Sequence, residues 1–199
     1  MKYDPDRHHR RSIRLKGYDY SQAGVYFVSV CTQNRECLFG AIVGGEMVLN
    51  HAGRMVETVW DRLARRFPDI ELDESIILPN HIHGIITIVG APLVGAQSVD
   101  AQSVDVQARR AGTRPAPTRL GDVVGAFKSI TTHRYIVGVR QHGWQPFPRR
   151  LWQRNYYEHI VRDDNELTNI RGYITGNPGQ WELDRENPLP REMRCDHSS

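Results

Sequence analysis

The first part of the chain alternates between apolar runs typical of strands and spacings typical of a helix. β-Branched and aromatic residues fill 25–32, and Gly44-Gly45 separates two short apolar segments, so a strand followed by a β-hairpin is predicted. Asn50 is a predicted N-cap of a helix that Pro68 should end. The apolar residues that recur at helical spacing between them are Met55, Val56, Val59, Trp60, Leu63 and Phe67.

The pattern after Pro68 predicts two more strands and two more helices. Residues 70–78 and the apolar run after Pro79 should pair in antiparallel fashion, because Pro79-Asn80 is a turn signal. Apolar residues recur at helical spacing over 120–137, and the segment 151–161 is aromatic and partly alternating. Asp163-Asp164 predicts the start of the last helix. This order predicts one α+β domain, in which helices flank a central antiparallel sheet.

Two segments carry too few apolar residues to contribute to a core. Residues 90–118 include the pentapeptide AQSVD twice in tandem, and we predict a mobile surface loop there. The tail 183–199 contains two prolines and is predicted to be loosely ordered. The chain should therefore form a single domain over 1–182 that carries the loop and is followed by the tail.

The composition is that of an ordinary globular protein. The chain has 199 residues, of which 39% are hydrophobic and 25% charged, enough for one domain with a sizeable core. No apolar run could span a membrane and the N-terminus lacks the apolar region of a signal peptide, so we expect a cytoplasmic protein without a membrane partner. Its three cysteines have no metal-binding spacing, which favours free thiols.

The positive charge is almost entirely arginine. The net charge is +3, and only Lys2, Lys16 and Lys128 are lysines. Arginine binds phosphate oxygens in pairs and stacks on bases, so clusters at 7–14 and 149–154 favour a nucleic-acid partner. A genome of high GC content would explain the bias equally well. The candidate DNA-binding residues are Lys128, Arg149, Arg150, Trp152 and Arg154.

The pair His81-Ile82-His83 lies at the start of the predicted strand after Pro79. Side chains of a strand alternate between faces, so His81 and His83 should point the same way, with Ile82 in the core. Two adjacent imidazoles on a rigid strand can offer two nitrogens to one metal ion. The competing interpretation is a pair of core histidines that hydrogen bond to backbone carbonyls.

The last predicted helix could supply the remaining ligand and a nucleophile. Tyr173 and Asn177 are four residues apart and share a helix face. With its hard amide oxygen, Asn177 would complete a mixed donor set that suits Mn²⁺ or Mg²⁺. Such an ion would favour the phenolate of Tyr173, which could then attack a DNA phosphorus. Tyr156 and Tyr157 compete for this role, but no amide follows either of them by four residues.

Several ordered segments resemble the REP-associated tyrosine transposases, which belong to the single-tyrosine HUH (His-hydrophobic-His) nucleases and transposases. The resemblance covers the chain from near its N-terminus to about Trp181, apart from the repeat loop. It departs at Phe127, where relatives often have tyrosine, and we expect altered packing or DNA contacts there. The matching segments are RSIRLKGYDY at 11–20, CTQNREC at 31–37, LPNHIHG at 78–84, LWQRNYYEH at 151–159 and YITGNP at 173–178.

The resemblance implies a fold, a chemistry and a partner. It implies an HUH-type domain with a ferredoxin-like arrangement, with His81, His83 and Asn177 as metal ligands and Tyr173 as the nucleophile. The tyrosine would cleave single-stranded DNA, at hairpin-forming repeats, and leave a 5′-phosphotyrosine link and a free 3′-OH. The protein would act as a monomer or a homodimer.

Two other function classes are weighed against this one. A nucleotide hydrolase of the histidine-triad type needs a third histidine two residues after His83, and Ile85 stands there. A DNA-binding module that has kept the fold and adopted a host role, without cleaving, stays open.

Overall fold

The computed structural model describes residues 22–89 and 118–188, and each predicted strand and helix in those ranges is present. Two short 3₁₀ turns, at Gln33–Arg35 and Pro178–Leu183, complete the element order. The strands and helices are β1 (Gly24–Cys31), β2 (Gly40–Val43), β3 (Glu46–Leu49), α1 (His51–Asp61), α2 (Leu63–Arg66), β4 (Ile70–Ile77), β5 (His81–Ile88), α3 (Leu120–His142), β6 (Tyr157–Val161) and α4 (Asp164–Gly176).

The main sheet has four strands in the order β4-β5-β1-β6, and every neighbouring pair is antiparallel. When the β2-β3 hairpin is set aside, β1, α1, β4, β5, α3 and β6 form a β-α-β-β-α-β unit. This is the ferredoxin-like arrangement, so the predicted fold class is confirmed. The register places His83 opposite Ser29 and His81 opposite Cys31 on the two central strands.

One face of the sheet is packed under α1 and α3. Alternate residues of β5, Ile82 and Ile86, lie in this core and are fully buried. Trp60 of α1 meets Phe127 of α3 edge to face, with ring centroids 5.4 Å apart. Gly84 lies beneath the indole, where a Cβ atom would be 2.2 Å from Trp60 Cζ2. Phe127, where the resemblance departs, is therefore a packing residue.

The opposite face of the sheet lies against α4 and has a much smaller apolar cluster. Phe27 of β1, Ile85 of β5 and Ile174 of α4 form its buried centre. His81 and His83 alternate with Ile82 and Gly84 along β5, so they lie on the same face as Ile85. The apolar contacts fix α4 over the histidines.

The predicted helix and turn signals act as expected. Asn50 Oδ1 accepts a hydrogen bond from Gly53 N at the start of α1, and Asp163 Oδ1 accepts one from Glu166 N at the start of α4. Gly44 and Gly45 both have positive φ angles, as the two-residue turn of the hairpin requires. The helix predicted to run to Pro68 is interrupted, and α2 follows α1 after Arg62.

The first residues of the tail, up to 188, make hydrogen bonds with the domain. Asn187 is 5% exposed and donates from Nδ2 to Trp181 O, and Glu186 O accepts a hydrogen bond from Asn80 Nδ2. The segment up to 188 is therefore attached to the domain by hydrogen bonds rather than by apolar contacts, which is why its composition did not reveal it. The rest of the tail lies outside the described residues.

Other predictions also fall outside the described residues. They concern the arginine cluster at 7–14, the matching segment at 11–20, Cys195 and the repeat loop as far as 117. Within the described ranges, Cys31 and Cys37 are free thiols. No helix in those ranges has the length and apolar character needed to cross a membrane.

Candidate functional site

His81 and His83 lie two residues apart on β5, and their imidazole rings are in contact. Their ring centroids are 4.5 Å apart, and the two Nε2 atoms are separated by 3.0 Å. His81 is fully buried and His83 is 4% exposed. The prediction that both side chains lie on one face of the strand is confirmed.

Neighbouring side chains hold the outer nitrogen of each ring. His81 Nδ1 is 2.7 Å from Asn80 Oδ1, and His83 Nδ1 is 2.6 Å from Ser29 Oγ. Both contacts turn Nε2 of each ring toward the other. The hydrogen bonds to backbone carbonyls that a pair of core histidines would make are absent for both rings in the described part of the chain.

The electrostatic setting keeps both imidazoles neutral. Burial lowers the pKa of His81 and of His83 to about 3, and for His83 the neighbouring His81 adds to the effect. A neutral imidazole has one nitrogen with a free lone pair, and only that form can bind a metal ion. Near neutral pH the pair is therefore ready to act as ligands without first losing protons.

Tyr173 lies on α4, the helix that covers this face of the sheet, and its hydroxyl approaches the histidine pair. Its Oη is 3.3 Å from His83 Nε2, and its ring meets Phe27 edge to face at 6.1 Å. The side chain is 47% exposed, so the hydroxyl is accessible. Burial and the charge of Asp184 raise the pKa of Tyr173, whereas a hydrogen bond from the Asn177 amide acts in the opposite direction. Tyr173 is a neutral phenol at neutral pH unless a cation stabilises its phenolate.

Asn177 ends α4 and lines the same cavity as His83 and Tyr173. It is 3% exposed, and its Oδ1 is buried without a hydrogen-bond donor among the residues that the structure describes. Burying an amide oxygen without a partner is costly, and a bound cation would remove that cost.

Asp184 is a site residue that the sequence did not reveal. Its Oδ2 lies 3.9 Å from His81 Nε2, and the ligand atoms of His81, His83 and Asp184 all lie within 4.8 Å of one another. The 3₁₀ turn Pro178–Leu183 brings the chain back over the sheet and places this carboxylate beside the histidines. Neither motif spacing nor helix periodicity marks Asp184, because its position depends on contacts with distant segments.

The donor set fits a divalent cation. Two ligands that are about 2.1 Å from an octahedral ion, in adjacent positions, are about 3 Å apart. The Nε2–Nε2 separation of 3.0 Å matches this spacing. Two imidazole nitrogens with an oxygen from Asp184 make a mixed set of intermediate and hard donors, which suits a divalent cation such as Mn²⁺ or Mg²⁺.

A cavity of about 690 Å³ extends from His83 and Tyr173. Tyr156 and Tyr157 line it, and Tyr157 is 46% exposed and packs edge to face on Phe27. Both competing tyrosines therefore border the site, whereas Tyr173 is the one with its hydroxyl within 3.3 Å of a candidate ligand atom.

Trp152, a candidate for base stacking, belongs to the core. It is 4% exposed, and its Nε1 donates to Thr131 Oγ1 over 2.8 Å. Its ring packs against Phe39 and Phe127, with centroids 5.2 and 5.5 Å away. Its predicted DNA contact is therefore wrong, since no face of the indole is available to a base. The aromatic character of 151–161 did not distinguish core residues from surface residues.

Lys128, predicted to contact a phosphate, donates hydrogen bonds to backbone carbonyls of its own chain. Its Nζ donates to Gln153 O at 2.9 Å and to Asn155 O at 3.0 Å, and lies 5.4 Å from the centroid of the Tyr156 ring. Burial lowers the pKa of its ammonium to about 8. Lys128 thus holds the segment before β6 in place, and its predicted DNA contact stays a prediction.

The three candidate arginines remain on the surface. Arg149, Arg150 and Arg154 are exposed and line a shallow concavity of about 470 Å³. Arg149 has a left-handed backbone conformation, with a φ angle of 62°. Their side chains are accessible to a polyanion. These three arginines do not line the cavity that contains His83.

No protein-family model matches this chain. A protein of Haemophilus influenzae described as uncharacterized is 39% identical over 187 residues, which cover 92% of this chain and 96% of that protein.

A solved structure of a REP-associated tyrosine transposase bound to a REP hairpin superposes with a TM-score of 0.54. The match covers 84% of this chain and 74% of that chain at 17% sequence identity. At this identity the match demonstrates a common fold, which agrees with the resemblance found in the sequence segments.

Proposed function

The chain belongs to one family with the uncharacterized Haemophilus influenzae protein and has the fold of a REP-associated tyrosine transposase, and from this premise we propose that it is a transposase-type endonuclease. Its substrate would be single-stranded DNA, which it would cleave and rejoin through a tyrosine. The observation that carries the proposal is the 3.3 Å approach of the Tyr173 hydroxyl to Nε2 of His83, within the buried histidine pair.

The surrounding residues support this chemistry. His81, His83, Asn177 and Asp184 would hold a divalent cation, which polarises a phosphodiester oxygen and favours the phenolate form of a nearby phenol. Tyr173 is half exposed, so a phosphodiester can approach its Oη from the cavity. The buried apolar contacts between α4 and the sheet would hold that hydroxyl in place while DNA binds and is released.

The proposed reaction is a transesterification. Tyr173 Oη forms a bond to phosphorus, and the bond from phosphorus to the 3′-oxygen breaks. The departing oxygen keeps the electron pair and takes up the proton that the Tyr173 phenol gives up, so the upstream strand leaves as a 3′-OH. The downstream strand stays linked to the protein through its 5′-phosphate. Attack of a 3′-OH on this phosphotyrosine reverses the step and joins two strands without external energy.

A hairpin-bearing single strand is the substrate that we propose. The solved transposase with this fold is bound to a REP hairpin. In the present protein, exposed Arg149, Arg150 and Arg154 could bind phosphates, and the half-exposed Tyr157 could stack on an unpaired base beside the site.

Covalent capture tests the proposal. The protein is incubated with end-labelled single strands that carry a hairpin, in Mn²⁺, and run on a denaturing gel. We expect a label at the 3′ end to appear in a protein–DNA adduct, because the tyrosine would be linked to the 5′-phosphate of the downstream strand. A label at the 5′ end should appear in a shorter strand that ends in 3′-OH. Perfect duplex of the same sequence is the control and should give no adduct.

Two outcomes would contradict the proposal. An adduct of equal yield in excess chelator would rule out the metal-assisted mechanism. Tight binding of hairpin strands with no adduct on any of them would favour the alternative, a non-cleaving DNA-binding module.

A further inference from the structure

We propose that Ser29 is a positioning residue whose hydroxyl lets His83 change tautomer when a metal ion binds, whereas Asn80 holds His81 in a single tautomer. The inference rests on the metal site of the proposed function, but not on DNA cleavage. It assigns different tasks to the two histidines of the motif, which the sequence presents as equivalent.

The orientation of Asn80 is determined by its amide nitrogen. Nδ2 donates to two backbone carbonyls, Arg35 O at 3.0 Å and Glu186 O at 2.7 Å. Oδ1 must therefore face Nδ1 of His81, 2.7 Å away, and it can only accept. In the neutral ring Nδ1 carries the proton, so Nε2 of His81 always presents a lone pair to the site.

The state of His83 without an ion follows from its neighbour. Its Nε2 is 3.0 Å from the lone pair on Nε2 of His81, and two lone pairs at this distance would repel. Without an ion, we place the proton of His83 on Nε2, where it is donated to His81, the nearer of its two neighbours; the Tyr173 hydroxyl lies farther from that nitrogen, at 3.3 Å. Nδ1 of His83 is then an acceptor, so the Ser29 hydroxyl, 2.6 Å away, donates to it.

Metal binding reverses these roles at His83. A bound cation needs a lone pair on Nε2, so the proton of the neutral ring must move to Nδ1. The Ser29 hydroxyl can rotate and accept from that Nδ1–H. A hydroxyl is both donor and acceptor, so Ser29 satisfies His83 in both states, which the Asn80 carbonyl oxygen could not do.

Nitrogen NMR of the histidine rings reads the tautomers directly. The full-length protein is labelled with ¹⁵N-histidine and measured with and without Mg²⁺, which is diamagnetic. We expect His81 to show Nδ1–H in both states, and His83 to change from Nε2–H to Nδ1–H on addition of Mg²⁺. One unchanged tautomer for His83 in both conditions would overturn the proposal.

Metal affinity supplies the second readout. Loss of an outer hydrogen-bond partner of a metal-bound histidine typically weakens affinity by about 10–100-fold. We expect Ser29→Ala to weaken Mn²⁺ binding by about 10-fold in calorimetry, and Ser29→Thr, which keeps the hydroxyl, to restore it. Ser75→Ala is the matched control, because Ser75 lies in the same sheet opposite Gly84 and should bind Mn²⁺ normally.

The two proposals fail in different ways. Wild-type affinity in Ser29→Ala would overturn the role of Ser29 and leave DNA cleavage untouched. A tautomer change with Mg²⁺ in a protein that forms no DNA adduct would support the role of Ser29 and contradict the proposed nuclease.

Discussion

The two faces of β5 are built from alternate residues of one strand and serve opposite purposes. Ile82 and Ile86 point into a closed core, where an indole lies so near Gly84 that a methyl group would not fit. His81 and His83 point the other way, and His83 lines a cavity that also contains a half-exposed tyrosine, Tyr173.

This difference shows how stability and chemistry can be separated on one element. On the core face, the β5 side chains Ile82 and Ile86 make apolar contacts alone. The site face keeps two neutral imidazoles buried beside a small apolar cluster, together with an amide oxygen of Asn177 that has no partner within residues 22–89 and 118–188. This arrangement costs free energy, which a bound cation would offset. Substitutions on the two faces should therefore affect different measurements.

The largest effect is expected from removing both histidines. The double variant His81→Ala/His83→Ala should lose Mn²⁺ binding in calorimetry and covalent adduct formation on gels, because both nitrogen ligands are gone. Binding of hairpin DNA should remain largely intact, since it depends on other residues. Retention of wild-type Mn²⁺ affinity would show that the ion binds elsewhere.

A core substitution on the same strand should lower stability and leave metal affinity unchanged. Ile86→Ala removes a fully buried side chain and should lower the free energy of unfolding by about 2–5 kcal/mol, measured by denaturant titration. The folded fraction should bind Mn²⁺ with unchanged affinity. A loss of metal affinity without a loss of stability would mean that the two faces are not separable.

Asp184→Asn should have an intermediate effect. It keeps the shape of the side chain and removes the negative charge beside His81, so we expect Mn²⁺ affinity to fall about 10-fold, which is about 1.4 kcal/mol. Glu182→Gln, an exposed acid of the preceding turn, is the control for a general loss of charge. Equal affinity in Asp184→Asn would exclude a ligand role for this carboxylate.

The smallest effect concerns DNA affinity. If Arg154 neutralises one phosphate, Arg154→Ala should lower the salt dependence of binding to a single strand by about 0.7 in the log–log slope. Lys128→Ala should leave that slope unchanged, because backbone carbonyls hold its ammonium. Fluorescence anisotropy at several salt concentrations measures both, and the reverse ranking would mean that Lys128 does contact DNA.

Local patterns predicted the parts of the site that lie on single elements. The common face of His81 and His83 follows from strand alternation, and the position of Asn177 beside Tyr173 follows from the helix repeat. The caps at Asn50 and Asp163 were predictable for the same reason, since each depends on a few neighbouring residues.

Long-range contacts explain what local patterns missed. Asp184 reaches the site because its segment is bound to Asn80, 106 residues from Glu186 in the chain. Trp152 looked like a DNA-binding residue, but packing that no sequence period records buries its indole in the core.

The role of Tyr173 as the nucleophile is tested by covalent capture with tyrosine variants. Tyr173→Phe removes only a hydroxyl, so the fold and hairpin affinity should change little, while the adduct with labelled single-stranded DNA in Mn²⁺ should disappear from a denaturing gel. Tyr156→Phe and Tyr157→Phe, which border the same cavity, should still form it. An adduct that persists in Tyr173→Phe and is lost in Tyr157→Phe would contradict the assignment of Tyr173 as the nucleophile.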